Sequence, residues 1–319
     1  MILTILETII PVFLLIALGK ILKTIGIVTD NGIACIKNIS CNVFLPVMAF
    51  DTLIHGSFSI DSLLLIGLEL IVLFGAFGLG FIFKRFFEPE INGYVPYAMT
   101  TYEGGLFGWA LIALILAPVG GSKSDAMFAI VSMDIFSGIF CFTVMATGLK
   151  LLAGQQMSKK EIAVSIVTNP LIIAVVLGFI GAFFHLGELI DNSKFAALYT
   201  KTTDMFIKPL SPMILICIGS GLVFNWDVLK KGLKLAAFRY GVQIVLCVLV
   251  LVVINFTLGL TPALKIALMV YFFVPTSFLL SMYATDQDAI EFTSGYLSLQ
   301  ILISLIIFSG ISIYAGQVL

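Results

Sequence analysis

Charged residues are scarce in this sequence. Only 11% of the 319 residues are Asp, Glu, Lys or Arg, and 60% are hydrophobic. A soluble domain has roughly a quarter charged residues and about half apolar residues. The mean hydropathy is +1.15. This composition excludes an ordinary soluble domain, and a net charge of −1 without any basic cluster gives no reason to expect nucleic acid as a partner.

Residue patterns typical of catalysis are also missing. The chain has two histidines and shows no nucleophile–base pair, no Gly-rich phosphate loop and no metal-ligand spacing. We therefore expect neither an enzyme nor an ATP-driven pump, and no cofactor or metal. The cysteines lie in or beside apolar runs, so we expect them to be buried small hydrophobic residues. They are Cys35, Cys41, Cys141, Cys217 and Cys247.

Long uncharged runs predict an all-α protein that crosses the lipid bilayer many times. A membrane-spanning helix needs about 20 apolar residues, and runs such as 162–184 and 240–264 meet that length. Ten spans fit best, at 4–23, 31–53, 62–83, 94–117, 126–149, 162–184, 199–223, 232–258, 264–285 and 291–316.

Two stretches of the chain are weak copies of each other. Residues 11–19 read PVFLLIALG, and residues 170–178, which begin 159 positions later, read PLIIAVVLG. A second agreement is that span two is broken by Pro46 and span seven by Pro209 and Pro212. Two similar halves are typical of secondary transporters, with the site where the halves meet near mid-bilayer.

Each half has five spans, so the second half must be inverted in the membrane. We predict a first repeat over 1–155 and an inverted second repeat over 156–319. Because Lys and Arg collect in cytoplasmic loops, their placement predicts both termini outside. The inner connections then hold Lys20, Lys23, Lys84, Arg85, Lys150, Lys159, Lys160, Lys230, Lys231 and Lys234, and the outer ones hold Lys123, Lys194 and Lys265.

The fourth span contains the densest group of helix-weakening residues, TTYEGGLFGW at 100–109. Each of Gly104, Gly105 and Gly108 costs a helix about 1 kcal/mol relative to alanine, so we predict an interruption with Glu103 at its start. Polar groups at membrane depth usually mark function. The alternative is that these small residues only allow close helix packing, with Glu103 paired to a neighbour.

The ninth span, the symmetry partner of the fourth, carries Pro275, Thr276 and Ser277. Proline removes a backbone donor in mid-helix, so we predict a second interruption that crosses the first. The ends of half-helices attract anions at their N-termini and cations at their C-termini. The predicted substrate-binding residues are Asn42, Tyr102, Glu103, Gly104, Gly105, Gly108, Pro275, Thr276 and Ser277. The predicted coupling-cation residues are Glu103 and Asp134.

Other charged residues allow fewer conclusions. Glu69 and Asp134 lie within spans and either face the interior for function or form a structural pair. Arg239 lies one turn into span eight, so we expect it to snorkel to the cytoplasmic interface. The polar residues Lys201, Asp204 and Lys208 recur on one face of span seven, which leaves open an aqueous vestibule or a surface ion-pair ladder.

These segments resemble the auxin efflux carrier family, which comprises the plant PIN carriers and bacterial relatives, some of them malonate or malate permeases. The resemblance rests on FLPVM at 44–48, NPLIIAVVLGFI at 169–180, PLSPMILICIGSGL at 209–222, and Pro275 with YATDQDA at 283–289. It implies ten spans in two inverted halves, with broken spans four and nine crossing. It also implies a scaffold domain and a transport domain, each built from both repeats.

The chain departs from the family in span four, where the family pattern is Asn-x-x-x-x-Gly-x-Pro. Here Glu103 stands at the Asn and Gly108 at the Gly, and the Pro has no counterpart at its position. A neutral Asn can bond an anionic substrate directly, whereas an ionised Glu would repel it unless a cation or proton accompanies it. An acidic group at the crossing is therefore distinctive of this chain.

The sequence thus predicts a multi-pass protein of the cytoplasmic membrane that moves a small organic anion. The anion would be a mono- or dicarboxylate, auxin-like or malate/malonate-like, transported by alternating access with H⁺ or Na⁺. One alternative is a bile-acid/sodium symporter-like carrier, and another is a membrane sensor that binds a ligand without moving it. The substrate, the direction of transport and the oligomeric state, a homodimer included, stay open.

Overall fold

The structure, a computed structural model, describes residues 2–55, 60–100, 102–117, 122–152, 158–222, 226–277, 280 and 287–319. All regular secondary structure within these ranges is helical. Outside them lie half of the predicted linker at 151–160, the end of predicted span nine and most of YATDQDA.

The helices follow the predicted spans closely, with several divisions. Those of the first half are α1 (Ile2–Thr24), α2 (Asp30–Ile39), α3 (Leu45–Ile54), α4 (Ile60–Phe83), α5 (Pro89–Asn92), α6 (Val95–Thr100), α7 (Trp109–Ile115), α8 (Ser122–Phe140) and α9 (Ala146–Leu152). Those of the second half are α10 (Lys159–Val167), α11 (Pro170–Phe183), α12 (Leu186–Asp191), α13 (Ala196–Ile207), α14 (Leu210–Ser220), α15 (Trp226–Thr257), α16 (Pro262–Phe272) and α17 (Gln287–Val318).

Four helical stretches are long and apolar enough to cross a membrane, which is consistent with the predicted membrane protein. They are Asn31–Ile54, Leu63–Phe86, Val228–Thr257 and Glu291–Val318. The polarity of the fold supports the same conclusion. Ile71 on α4 and Val245 on α15 are exposed, whereas Glu69 and Arg239 on the same two helices are fully buried. Such an arrangement suits a surface in contact with lipid and an interior that satisfies the polar groups.

Three prolines divide helices that were predicted as spans. In span two a π-helical turn, Ser40–Phe44, leads into α3, whose second residue is Pro46. The proline ring removes one regular helical hydrogen bond there. Span six, predicted at 162–184, is also divided, because α10 ends at Val167 and α11 begins at Pro170. Asn169 caps the new helix, its Oδ1 accepting from Leu171 N at 2.9 Å. Span seven divides into α13 and α14 before Pro209.

Helix α1 packs against α14 through glycines. A side chain on Gly19 would collide with the backbone of Ile216, and one on Gly219 would collide with the backbone of Ile16. Small residues at such positions let two backbones approach closely, which is the usual basis of helix pairing in membranes.

Helix α11 packs against α3 in the same way. A Cβ on Gly178 would lie 2.8 Å from the Cβ of Leu53, and one on Gly181 would lie 2.7 Å from Cγ2 of Ile54. Both pairs, α1 with α14 and α3 with α11, are thus closed by glycines at the helix contact.

The second predicted interruption lies in the interior of the fold. Helix α16 packs against α7, α8, α15 and α17. Tyr271 and Phe272 at its end are both fully buried. This position brings the end of α16 next to the first interruption.

The expectation for the cysteines is confirmed for three of them. Cys141, Cys217 and Cys247 are buried, whereas Cys35 on α2 is exposed, so the expectation is wrong there. The side chain of Cys41 lies outside what the structure describes. An exposed cysteine in an apolar run suits a helix face that contacts lipid rather than protein.

Candidate functional site

The first interruption falls within the predicted segment 100–109. Helix α6 ends at Thr100, and Tyr102 and Glu103 are not helical. Glu103 has φ −87° and ψ 56°, and helical structure resumes with a π-helical turn over Gly104–Gly108 that leads into α7. Tyr102 is 3% exposed and Glu103 is 7% exposed. The local cause of the interruption is the group of glycines that follows Glu103, because glycine weakens a helix.

The second interruption falls at the predicted Pro275. Helix α16 ends at Phe272, and residues 274–277 are not helical. Pro275 has no N–H, while the N–H of Thr276 donates to Oε1 of Gln300 on α17 at 2.6 Å. Pro275, Thr276 and Ser277 are all buried. The N–H of Thr276 is therefore bonded by a side chain from another helix. Buried backbone N–H groups need such partners.

The two interruptions are bonded to each other. The N–H of Glu103 donates to the carbonyl of Pro275 at 2.9 Å. A Cβ on Gly108 would lie 3.1 Å from Cγ1 of Val274, so the π-helical turn also packs on the second interruption. The carbonyl of Glu103 accepts from Phe107 N and Gly108 N, which anchors the start of the turn. Backbone groups freed by one interruption thus find partners at the other.

Arg239 on α15 binds both interruptions. Its Nη1 donates to the carbonyl of Ala98 at 2.6 Å, and its Nη2 donates to the carbonyl of Val274 at 3.2 Å. The guanidinium lies 5.4 Å from the centre of the Tyr102 ring, a cation–π distance. Arg239 is fully buried, so the prediction that it snorkels to the interface was wrong. The reason is that the interrupted helices offer free carbonyls in the interior, next to the negative end of the α6 dipole.

Gln243, one turn after Arg239, completes this contact. Its Nε2 donates to the carbonyl of Met99 at 3.2 Å, and its Oε1 accepts from the Tyr102 hydroxyl at 2.5 Å. Two of the last carbonyls of α6 are therefore bonded to α15. Because the positive charge of Arg239 lies at the C-terminal end of α6, it would repel a second cation there.

A tyrosine hydroxyl joins two buried acids. The hydroxyl of Tyr271 lies 2.9 Å from Oδ1 of Asp134 on α8 and 3.2 Å from Oε1 of Glu69 on α4. Glu69 and Tyr271 are fully buried and Asp134 is 8% exposed. Among the described residues, Oε2 of Glu69 has no hydrogen-bond partner. For Glu69 and Asp134 the sequence allowed either a functional interior position or a structural pair. Both acids lie in the interior, within hydrogen-bonding distance of the same tyrosine hydroxyl.

Asp134 also contacts the first interruption. A Cβ on Gly104 would come 2.5 Å from Cγ of Asp134, and one on Gly105 would lie 3.8 Å from its Oδ2. Only glycine at 104 leaves room for this carboxylate. Glu103 and Asp134, the two residues predicted to bind a coupling cation, also both act electrostatically on the thiol of Cys141. Asp134 is thus linked to the first interruption by packing and to the end of α16 through Tyr271.

Asn42 is the predicted site residue that the structure does not bring to the interruptions. It is exposed, and its Nδ2 donates to the carbonyl of Asn38 at 2.9 Å, one turn back on its own helix. On α13, Lys208 forms an exposed ion pair with Asp204 at 2.6 Å. This geometry is that of a surface i,i+4 pair.

Sequence reasoning missed Tyr271, Gln243 and Gln300, and misplaced Arg239. The signal for the two glutamines was present, because a buried amide at membrane depth needs partners much as a charge does. They lie inside long uncharged runs, so an analysis that considers only charged residues does not detect them. Tyr271 was counted among apolar residues, although a buried tyrosine hydroxyl usually has a hydrogen-bond partner.

A small cavity lies beside the second interruption, between α7, α16 and α17. Its volume is about 10 Å³, about enough for one water molecule, and its lining includes Phe107, Val274, Ser304 and Phe308. Ligand pockets usually measure about 300–1,000 Å³. The cavity is therefore too small to hold a carboxylate ligand in this structure.

In comparisons with known proteins, no family model matches the chain and no curated protein matches it.

Proposed function

We propose that this chain is a secondary transporter that carries a small organic anion across the cytoplasmic membrane by alternating access, coupled to H⁺ or Na⁺. One observation carries the proposal: two interrupted helices are bonded to each other in the interior, Glu103 N to Pro275 O at 2.9 Å. Irregular backbone at membrane depth occurs where protein buries it or where it lines a cavity. In secondary transporters, such helices form the substrate and ion sites.

The charge at the interruptions favours an anionic substrate. Arg239 is a fixed, fully buried cation that touches both interrupted helices. The amide groups of the turn Gly104–Gly108 lie at the N-terminal end of α7, the positive end of its dipole. A carboxylate between the interruptions would be attracted by both. The proposed substrate contacts are Tyr102, Glu103, Gly104, Gly105, Gly108, Pro275, Thr276 and Ser277, and the proposed coupling residues are Glu103 and Asp134.

We further propose the ten-span architecture with an inverted repeat, 1–155 and 156–319, and both termini outside. The glycine contacts support it. In the first half Gly19, eight residues after Pro11, packs on Ile216, which lies seven residues after Pro209.

The second half repeats this relationship. Gly178, eight residues after Pro170, packs on Leu53, which lies seven residues after Pro46. Corresponding positions of the two halves therefore make corresponding contacts, each between halves. Chance similarity of two apolar runs gives no reason for that agreement. Membership of the auxin efflux carriers is part of the proposal and rests on the segments quoted above.

Transport can be measured directly. Purified protein is reconstituted into liposomes, and uptake of radiolabelled malate, malonate and indole-3-acetate is followed under an imposed pH gradient or Na⁺ gradient. We expect at least one carboxylate to accumulate above its external concentration and to leave when the gradient is collapsed. Protein-free liposomes and the exposed-surface variant Glu88→Gln are the controls. Binding of a carboxylate without flux would indicate a sensor instead, and neither binding nor flux would overturn the proposal.

A further inference from the structure

The hydroxyl of Tyr271 has more acceptors than it has protons. It lies within hydrogen-bonding distance of Asp134 at 2.9 Å and of Glu69 at 3.2 Å. A hydroxyl donates one hydrogen bond and can accept two. If both acids were ionised, only one could receive the hydroxyl proton, and the other would be a buried carboxylate without a donor. One extra proton removes the conflict, since a protonated carboxyl can donate to the tyrosine oxygen.

The distances indicate where that proton resides. Tyr271 is closer to Asp134 (2.9 Å) than to Glu69 (3.2 Å), the geometry expected when its hydroxyl proton points to an ionised Asp134. Glu69 is fully buried, and its Oε2 has no partner among the described residues. Burying an ionised carboxylate with one unpaired oxygen costs much free energy. Burying the unpaired carbonyl oxygen of a protonated carboxyl costs far less. The proton therefore belongs to Glu69, which donates it to the oxygen of Tyr271.

No neighbouring cation removes the need for this proton. The groups that act on Glu69 and Asp134 are each other and the side chains of Tyr271 and Trp109. The titratable groups around them are Tyr102, which stacks on Tyr271, Cys141, which interacts electrostatically with Asp134 and Glu103, and Cys247, which interacts electrostatically with Tyr102. Arg239 faces the ring of Tyr102 and two carbonyls. Within the described ranges, no counter-ion binds the two acids.

A metal cation fits the same place poorly. The Tyr271 hydroxyl already lies between the two carboxyls. No cluster of three or more His, Cys, Asp or Glu that could hold a metal ion exists among the described residues. A proton needs only the oxygens already in place.

We infer that Glu69, Tyr271 and Asp134 form a proton-binding site, and that the proton they share is the coupling ion of the proposed transporter. The second part rests on the proposed function. Tyr271 is the last residue but one of α16, next to the second interruption. Movement of that interruption carries the hydroxyl away from the carboxyls. The proton of Glu69 then passes to water on the open side, and Tyr271 keeps its own.

The site can be tested without a substrate. Infrared difference spectra of the full-length protein in lipid, recorded between acid and alkaline pH in H₂O and D₂O, detect the carbonyl stretch of a protonated carboxyl. We expect such a band at neutral pH, lost in Glu69→Gln, shifted in Tyr271→Phe and retained in Asp134→Asn. The matched control is Asp51→Asn, because Asp51 also accepts from a tyrosine hydroxyl, that of Tyr199 at 2.9 Å, but is half-exposed. That variant should keep the band.

A wild-type spectrum without the band, or a band that survives in Glu69→Gln, overturns the inference. Melting temperatures of the variants test whether they fold, and the amide oxygen of Glu69→Gln can still accept from Tyr271. Proteoliposomes separate this inference from the proposed function. If the band behaves as expected but no carboxylate is transported, the proton site stands and the transport function fails. If Glu69→Gln accumulates a carboxylate under a pH gradient as well as wild type does, the coupling role fails and transport stands.

Discussion

The rings of Tyr102 and Tyr271 stack on each other with their centres 5.1 Å apart and their planes 25° apart. Each tyrosine lies at one of the two interruptions, and their hydroxyls reach in different directions. That of Tyr102 bonds Gln243 on α15, and that of Tyr271 bonds Asp134 and Glu69 on α8 and α4. The stack therefore joins the two interruptions and also the two polar clusters around them.

The two tyrosines make comparable contacts across the two halves of the chain. A tyrosine from the first half binds α15 of the second half, and a tyrosine from the second half binds α4 of the first. In the proposed repeat, α4 and α15 are the third and eighth spans and so correspond. Relative movement of the interruptions would change both hydroxyl contacts together. This gives substrate movement a physical link to the buried acids.

Replacing Arg239 by methionine should destabilise the protein strongly. The variant leaves the carbonyls of Ala98 and Val274 without their donors, and a buried unsatisfied group costs about 1–3 kcal/mol. We expect the free energy of unfolding to fall by about 2–5 kcal/mol, measured by unfolding in detergent. Lys234→Met is the matched control, since Lys234 on the same helix also donates to a carbonyl, that of Phe86 at 2.6 Å, but is exposed. Its loss should cost about 0.5 kcal/mol or less, and equal losses would contradict the role of Arg239.

Replacing Gly104 by alanine should disturb the contact with Asp134. The added methyl group collides with the carboxylate, and overpacking of this kind costs about 1–3 kcal/mol. Gly138→Ala on α8 is the control, because a Cβ there meets nothing within 4 Å. In a helix interior that change should stabilise by up to about 1 kcal/mol. Unfolding temperatures that rise for both variants would show that Gly104 is not required by the carboxylate.

The interruptions themselves were predictable from the sequence, because their cause is local. Glycines at 104, 105 and 108 weaken a helix wherever they stand, and Pro275 removes a donor regardless of its neighbours. The partners of the interruptions were not predictable. Arg239 binds a carbonyl 141 positions earlier in the chain, and a backbone carbonyl has no sequence signature. The shared contact of Glu69 and Asp134 with the Tyr271 hydroxyl likewise depends on how α4, α8 and α16 pack. Hydropathy does not specify that packing.

The orientation in the membrane can be tested by cysteine labelling. Ser158 lies at the start of α10 and is exposed, in the connection predicted to be cytoplasmic. In a background in which exposed Cys35 is replaced by serine, Ser158→Cys should react with an impermeant maleimide only from the cytoplasmic side. Lys194→Cys, exposed in a connection predicted to lie outside, should react only from the outer side. The reverse pattern would overturn the placement of both termini outside.

Replacing Glu103 by glutamine should uncouple transport from its driving ion. Glu103 is buried at the interruption beside Pro275, where an ionised carboxylate would repel an anionic substrate. Two like charges about 4 Å apart at an effective dielectric constant of about 20 repel by about 4 kcal/mol. In the proposed mechanism this repulsion forces the anion to travel with a cation or proton. Without it the anion can cross without the proton held at Glu69, so the movements of anion and proton are no longer tied to each other.

We therefore expect Glu103→Gln to bind the anion at least about tenfold more tightly when the coupling ion is absent. Counterflow of labelled substrate should persist, because exchange needs no net coupling, while accumulation under a pH or Na⁺ gradient should be lost. Glu88→Gln is the matched control, since Glu88 is exposed and its pair with Lys231 at 3.1 Å lies on the surface. If Glu103→Gln keeps the wild-type dependence on both pH and Na⁺, the carboxylate is structural, and its place at the interruption reflects pairing with a neighbour rather than control of the substrate's charge.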